Sequence, residues 1–503
     1  MNKELASSRF PCAYFCKHSK WRYFILITVL IGATMSAINV TIVNIALPTI
    51  QLYFRTSLHE VEWVAMGYML AITVLLPFFG KLGDMYGRTK LYTLGFVIFS
   101  IASFFCGSAS NINILNIFRV FQAIGAGLLQ ANSVAIITDA FPKEELGRAI
   151  GIQGAVQAIA MALGAFVGGA IVSAIGWRYI FYVNVPLGII GTLVGIAVLP
   201  KSLGSKKGSI DYIGAFLLAT ALFTFIFALN KGDSYGWTSL KTLALILITL
   251  ISLPFFIYRE LKAKSPMIKL SIFKNWGFSM GNILGLLSYL IFFSVLFLMP
   301  YYLELIQDYT PIITGTLLTP IPMAMGIMAP IAGYASDIVG RRFVITVGFS
   351  VISLAIFMLL FLKADSSFIY IVAIMIILGG GMGLFTPPNN SQIMLSVSSE
   401  NRGVAGGILN MMRSLGLVIG VAVTGLVFSS VHSSYIYSHF HKINNSIYKH
   451  LWNNYELFVK TVPPEIVTKS FMHAIFASMV MLFLLSIISV VLCVLKQNKT
   501  SKN

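Results

Sequence analysis

Two short charged turns hold the side chains of this chain most able to do chemistry. Gly80-Lys81-Leu82-Gly83-Asp84-Met85-Tyr86-Gly87-Arg88 and Gly333-Tyr334-Ala335-Ser336-Asp337-Ile338-Val339-Gly340-Arg341 both read G-x-x-x-D-x-x-G-R, at a constant offset of 253 residues. The glycines allow the chain to turn tightly where two helices meet. Asp and Arg can pair with each other or with helix ends, so the chemistry on offer is a reversible electrostatic latch. One copy alone reads equally well as a solvated hairpin loop. Two copies at matched positions point to two structurally equivalent halves. Asp139 closes a neighbouring apolar run within reach of the first turn and is a candidate third member of its latch.

A second set of candidates consists of polar residues inside apolar runs. Asn39, Thr41 and Asn44 interrupt the first such run, and Arg119, Gln122 and Asn132 the fourth. A buried Arg in a membrane is expensive, so it faces protein, water or an anion, unless it snorkels to the interface. Polar groups of this kind either bond to neighbouring helices or line a path. Asn39, Asn44, Arg119, Gln122 and Asn132 are expected to face a central path and hold a substrate. Gly164, Gly168 and Gly169 in the fifth run imply close helix packing.

The elements that must position these residues are membrane helices. The chain is 57% hydrophobic and 10% charged, with a mean hydropathy of +0.86, where a soluble protein carries about 25% charged residues. Apolar runs long enough to span a bilayer lie at 23–48, 63–79, 91–110, 114–138, 150–174, 179–199, 212–230, 241–258, 278–303, 311–335, 343–362, 368–391, 404–429 and 471–495. That is fourteen, and an even number puts both termini on one side.

The net charge of +18 is distributed as orientation rather than as a nucleic-acid footprint. Most Lys and Arg residues fall on the side of the termini, in clusters such as Lys201, Lys206 and Lys207 or Arg259, Lys262 and Lys264. The positive-inside rule makes that side cytoplasmic, in contact with anionic lipid. The expected location is the inner (plasma) membrane, multi-pass, with both termini inside. Residues 1–22 read as a basic arm, and the first run is too long for a signal-peptide core. The four cysteines read as reduced thiols: Cys106 and Cys493 lie in spans, and Cys12 and Cys16 in the arm near His18. The stretch 430–470, with His432, His439, His441 and His450, is expected to be a hydrophilic outer loop rather than a metal site.

The organisation expected is therefore an arm (1–22), a six-helix bundle (23–200), a linker with two inserted helices (201–275), a second six-helix bundle (276–495) and a tail (496–503). No nucleophile, metal cluster or phosphate loop has a supporting context, so the chain reads as no enzyme, without cofactor.

Over nearly its whole length the chain resembles the major facilitator superfamily, and within it the 14-span drug/proton antiporter branch of the EmrB/QacA type. The paired turns match the superfamily's gate motif. Arg119, Gln122, Gly125 and Gly127, with Ala123-Ile124 between, match the branch's R-x-x-Q-G-x-G element, Trp177-Arg178 through Asn184-Val185-Pro186 its sixth span, and Gly379 to Pro388 with Asn410, Arg413, Gly416 and Gly420 its late spans. The resemblance implies an all-α fold of two pseudo-symmetric six-helix bundles plus two inserted helices. It also implies a monomeric secondary active transporter, embedded in membrane lipids, that exports small amphipathic or anionic compounds by alternating access, with a proton as a candidate co-substrate. The paired turns would then be its gate, with Gly80, Asp84, Gly87, Arg88, Asp139, Gly333, Asp337, Gly340 and Arg341 as gating residues.

Three departures bear on coupling. The branch usually carries a carboxylate where this chain has Asn39, Gly-Pro where it has Gly164-Ala165, and often Gln where it has Glu304. Asn cannot exchange a proton. If protons drive the cycle, another acid must carry them, and Glu304 at the end of an apolar span is the candidate. Alternatives are an uncoupled carrier or lipid-type flippase and, from another class, a non-transporting receptor or scaffold.

Overall fold

The computed structural model describes residues 21–439 and 463–498 except 57, 143, 201–210, 264–265, 267 and 310. In lipid every backbone polar group must be satisfied within its own segment, and long apolar runs answer by coiling into helices. The order is α1 (Trp21–Phe54), α2 (Leu58–Tyr86), α3 (Arg88–Gly107), α4 (Ile112–Ala140), α5 (Leu146–Ile175) and α6 (Tyr179–Val198). Then follow α7 (Tyr212–Tyr235), α8 (Leu240–Lys262), α9 (Trp276–Leu305) and α10, which runs as Pro311–Leu318 and Pro320–Ile338. The last four are α11 (Arg341–Leu359), α12 (Phe368–Leu395), α13 (Arg402–His439) and α14 (Pro464–Asn498). Among the described residues, 13 helices are apolar and long enough to cross a membrane. The remaining one, α5, has 30 residues and one charged side chain, Arg148.

Local chemistry starts and stops these helices. Asn111, Asp211, Ser239, Asn275 and Ser367 accept hydrogen bonds from first-turn backbone N–H groups of α4, α7, α8, α9 and α12, the usual role of short polar side chains at an N-cap. Gly87 and Gly340 stand at φ 99° and 95°, where they join α2 to α3 and α10 to α11. Any side chain there would be strained, which accounts for the second glycine of both charged turns.

Six helices form each half. In the first, α1 packs along α5 and α3 along α4; in the second, α9 packs along α13, and α12 between α10 and α11. Leu218, Leu222 and Ile226 of α7 and Phe256 of α8 join a hydrophobic cluster that runs from the first half into Phe278, Val404, Ile408 and Leu415 of the second. The inserted pair thus packs at the boundary between the halves, with α7 touching both α2 and α13. Trp63 stacks on Phe227, which stacks on Phe223. Helix α8 is the most peripheral, presenting Leu247, Leu250, Phe255 and Tyr258 outward.

The expected loop at 430–470 is shorter than its composition suggested. Helix α13 continues to His439 and α14 begins at Pro464. Phe428, His432 and Ile436 recur at helical spacing and are buried, with His432 stacked on Phe428 and edge-on to Phe471. His432 is therefore packed in a helix rather than placed in a hydrophilic loop. His441, His450, Cys12, Cys16 and His18 lie outside the described residues, as does the side chain of His439.

Candidate functional site

Both charged turns bind across the boundary between the halves. Asp84, at the end of α2, accepts hydrogen bonds from the backbone N–H groups of Gly403 (2.8 Å) and Val404 (2.9 Å) in the first turn of α13. These are orphan donors at the positive end of a helix dipole. Arg88 donates to Asp84 Oδ1 through Nε (2.9 Å) and Nη2 (2.6 Å). It also binds the Asp139 carboxylate and the Ser399 carbonyl. Asp139 receives Arg402 of the second half at 2.8 Å. The structure thus brings Asp84, Arg88 and Asp139 together, with Arg402 as a fourth member.

The second turn repeats the arrangement with the halves exchanged. Asp337, in α10, accepts from the N–H groups of Gly147 (3.3 Å) and Arg148 (3.2 Å) in the first turn of α5. Arg341 lies 3.5 Å from Asp337 and donates to Ser391 Oγ at 3.0 Å. A Cβ on Gly80 would lie 2.2 Å from the Gly403 carbonyl oxygen, and one on Gly333 2.2 Å from that of Gly147. Further along the same contacts, a Cβ on Gly407 would meet the Leu76 carbonyl and one on Gly151 the Ala329 carbonyl, both at 2.5 Å. These two clasps hold α2 against α13 and α10 against α5.

Deeper between the halves lies a narrow polar cavity of about 20 Å3, room for about one water molecule. The first half contributes Gln130 and Ser133 from α4 and Gln153 and Gln157 from α5; the second contributes Tyr289, Asn390, Asn410 and Arg413. Asn410 donates to the Gln130 carbonyl at 3.0 Å, across the boundary. Arg413 lies 5.3 Å from the Tyr289 ring centroid.

The Arg119 group lies inside the first half instead. Arg119 is 1% exposed. It donates through Nε to the Val64 carbonyl (2.7 Å) and through Nη1 to Gln122 Oε1 (2.5 Å), with its guanidinium 4.1 Å from the Tyr68 ring. Gln122 donates to Ser103 Oγ at 2.6 Å and to Asn39 Oδ1 at 3.4 Å. The network ties α1, α2, α3 and α4 together. Among the described residues no carboxylate pairs with Arg119, and the Asn39 side chain and the Tyr68 hydroxyl lie together beside it.

Two pseudo-equivalent halves, exchanged clasps and a polar cavity between them find their match in known proteins. Residues 29–421 fit the family model described as Major Facilitator Superfamily. The chain belongs to the major facilitator superfamily. It is similar to a riboflavin transporter, RibZ, of Clostridioides difficile, at 39% identity over 80% of this chain and 87% of that protein. It is also similar to Multidrug resistance protein 3 of Bacillus subtilis, at 30% identity over 93% of each. Among solved structures, the superfamily's proton:xylose symporter XylE aligns over 94% of this chain and 95% of its own with a TM-score of 0.63 at 13% identity, a likeness of fold. This chain is thus a multi-pass membrane transporter of the superfamily, with relatives among its drug-efflux members.

The superfamily fold places the other sequence-selected residues unevenly. In this conformation none of the described side chains expected to hold substrate lines the cavity. Asn39, Arg119 and Gln122 bond to one another's helices. Asn132 faces Gly83, where a Cβ would lie 1.9 Å from its Oδ1, and donates to the Leu128 carbonyl. It points almost opposite to Gln130, two positions earlier on the same helix. The side chain of Asn44 lies outside the described residues. Gly164 and Gly168 press on Thr41 and Ile42 of α1, but Gly169 has nothing within 4 Å, so it is no packing contact. Glu304 is half-exposed at the end of α9 far from the clasps. The cavity residues that sequence reasoning passed over did leave signals: Gln153 and Gln157 at i, i+4, and Asn410 and Arg413 at i, i+3. Gly147 and Gly151 likewise repeat as Gly403 and Gly407, the partners of the charged turns.

Proposed function

We propose that this transporter exports a small amphipathic or anionic organic compound by alternating access about the cavity between its halves. The observation that carries the reading is the pair of exchanged clasps: two carboxylates, one from each half, hold the helix N-termini of the other. Such contacts close one end as a unit and release as a unit, which is what rocking of two bundles about a fixed site requires. The positive-inside distribution supports a cytoplasmic clasp end, so the conformation described would be closed to the cytoplasm, with both termini inside. Names among the relatives, multidrug resistance proteins and a tetracenomycin C export protein, support export.

On coupling, Asn39 beside Arg119 supports a cycle in which this helix pair carries no proton, leaving Glu304 as the acid to test. The deciding measurement is flux in proteoliposomes of the purified full chain. Substrate movement that stops when the clasps are cross-linked supports alternating access, and flux indifferent to the cross-link refutes it. A pH jump across the same vesicles separates proton exchange from an uncoupled carrier. A second reading, transport of riboflavin, is favoured by the 39% identical relative. Riboflavin is therefore the first substrate to assay, in both directions.

A further inference from the structure

We propose that the cavity selects monoanionic aromatic molecules, with the Arg413 guanidinium reading the anion and the Tyr289 ring providing the surface for the aromatic part. The proposal rests on the transport reading above and adds its substrate class. Arg413 Nη1 makes a long 3.4 Å bond to Asn410 Oδ1. Its Nη2 is buried with no hydrogen-bond partner. A buried cationic donor left unpaired is costly, and an acceptor brought by a ligand removes that cost. Among the described residues no carboxylate pairs with Arg413, and no described side chain lining the cavity is acidic. The wall therefore carries a single positive charge with no compensating one.

That charge pattern has a sign. In a low-dielectric cavity a lone guanidinium repels cations and attracts anions. Its planar fork matches a carboxylate or sulfonate with two parallel bonds. The Tyr289 ring, 5.3 Å from the guanidinium carbon, already forms a cation–π pair with it. The cavity of about 20 Å3 is too small for such a molecule in the conformation described, so a planar anion lies against that ring with its charged group at Nη2 once the cavity widens during the cycle. Gln130, Gln153 and Gln157 on the facing wall supply neutral amides for the polar edge of the molecule without altering the charge balance. A cavity of this kind is the opposite of one built for lipophilic cations, which need an acid.

The test uses three probes that share a ring and differ in charge: 2-naphthoate, 2-naphthamide and 2-naphthyltrimethylammonium. Uptake of each is measured in proteoliposomes of the full chain, with riboflavin alongside. Naphthoate should exceed naphthamide by about tenfold or more, the factor set by about 1.4 kcal/mol, and the cation should not be moved. Arg413→Gln should bring the anion-to-amide ratio to about one, and Arg413→Glu should favour the cation, as reversal of the charge on the described wall requires. If Arg413→Gln loses all flux, the ratio is read in Arg413→Lys, where a point charge without the fork should lower it about threefold. A wild type that prefers the cation, or moves riboflavin but none of the three probes, overturns the proposal. So does a ratio unchanged in Arg413→Gln, or in Arg413→Lys when Gln is silent. All of these leave the transport reading standing. A wild type that moves neither riboflavin nor any probe overturns both.

Discussion

Asp84→Asn should open the clasp end. The asparagine keeps one acceptor but loses the second oxygen and the charge. Two backbone donors of α13 and the Arg88 guanidinium converge on that carboxylate, and its side chain is only 7% exposed, so solvent screens little of the loss. Hydrogen bonds to a charged group are worth about 1.5–3 kcal/mol each, and a carboxylate at a helix N-terminus adds about 0.3–1 kcal/mol. Allowing for the acceptor that remains and for non-additivity, the closed state should lose about 2–4 kcal/mol, a shift of roughly 30- to 1000-fold toward opening. The equivalent Asp337→Asn removes longer bonds, of 3.3 and 3.2 Å, and should cost about 1–2 kcal/mol. Spin labels at Tyr86→Cys and Glu400→Cys, both on exposed positions flanking the first clasp, report the separation once the four native cysteines are replaced. The distance distribution should lengthen strongly in Asp84→Asn and weakly in Asp337→Asn, with flux lost in the former while membrane insertion is kept. An unshifted distribution with near-normal flux in Asp84→Asn would refute the clasp as the element that holds the halves together.

Gly80→Ala should also weaken closure, because its new methyl group meets the Gly403 backbone at 2.2 Å; a distance distribution like wild type counts against the tight contact. On α5, where Gly164 packs on α1, Gly164→Ala should lower thermal stability in detergent by about 1–3 kcal/mol through overpacking, whereas Gly169→Ala should stay within about 0.5 kcal/mol of wild type. Arg119→Ala should abolish flux and Arg119→Lys should not restore it, since Lys cannot reach the Val64 carbonyl and Gln122 together while lying on Tyr68; full activity in the Lys variant would show that a point charge suffices. Asn39→Asp should make flux more pH-dependent by giving Arg119 a titrating partner, and Glu304→Gln should abolish any proton-driven component. Flux independent of pH in wild type and Glu304→Gln alike excludes coupling through Glu304.

Much of this architecture was legible in the sequence because a membrane leaves the chain few choices. Uncharged runs must be helices, and a motif repeated at fixed offset must sit at equivalent places, so the two turns and the partnership of Asp84, Arg88 and Asp139 could be foreseen. What the turns bind was harder to see. Asp84 and Asp337 are held by backbone N–H groups, which carry no residue signature, and only the repeated glycines at 147/151 and 403/407 hint at them. The substrate-facing set was misplaced for a related reason. Polarity within an apolar run says that a side chain needs partners, and Arg119 finds them within its own bundle. Gln130 and Asn132 are equally polar, yet the turn of the helix sends one to the cavity and the other against Gly83. The boundaries of the 430–470 loop failed where His and Ser masked a helical repeat anchored by Phe428, His432 and Ile436.

The position of α7 against both α2 and α13 has a mechanical consequence. On the rocking cycle proposed above, α13 would slide past α7, and the side chains that line the space between them are Ile226 and Phe227 on one side and Leu417 and Val418 on the other. Dispersion between such side chains is weak per atom and has no preferred direction. Its energy therefore changes gradually with displacement, without the abrupt loss that breaking a hydrogen bond brings. On that cycle the inserted pair would act as a lubricated bearing, adding little friction to the moving boundary and leaving the timing of each stroke to the charged ends.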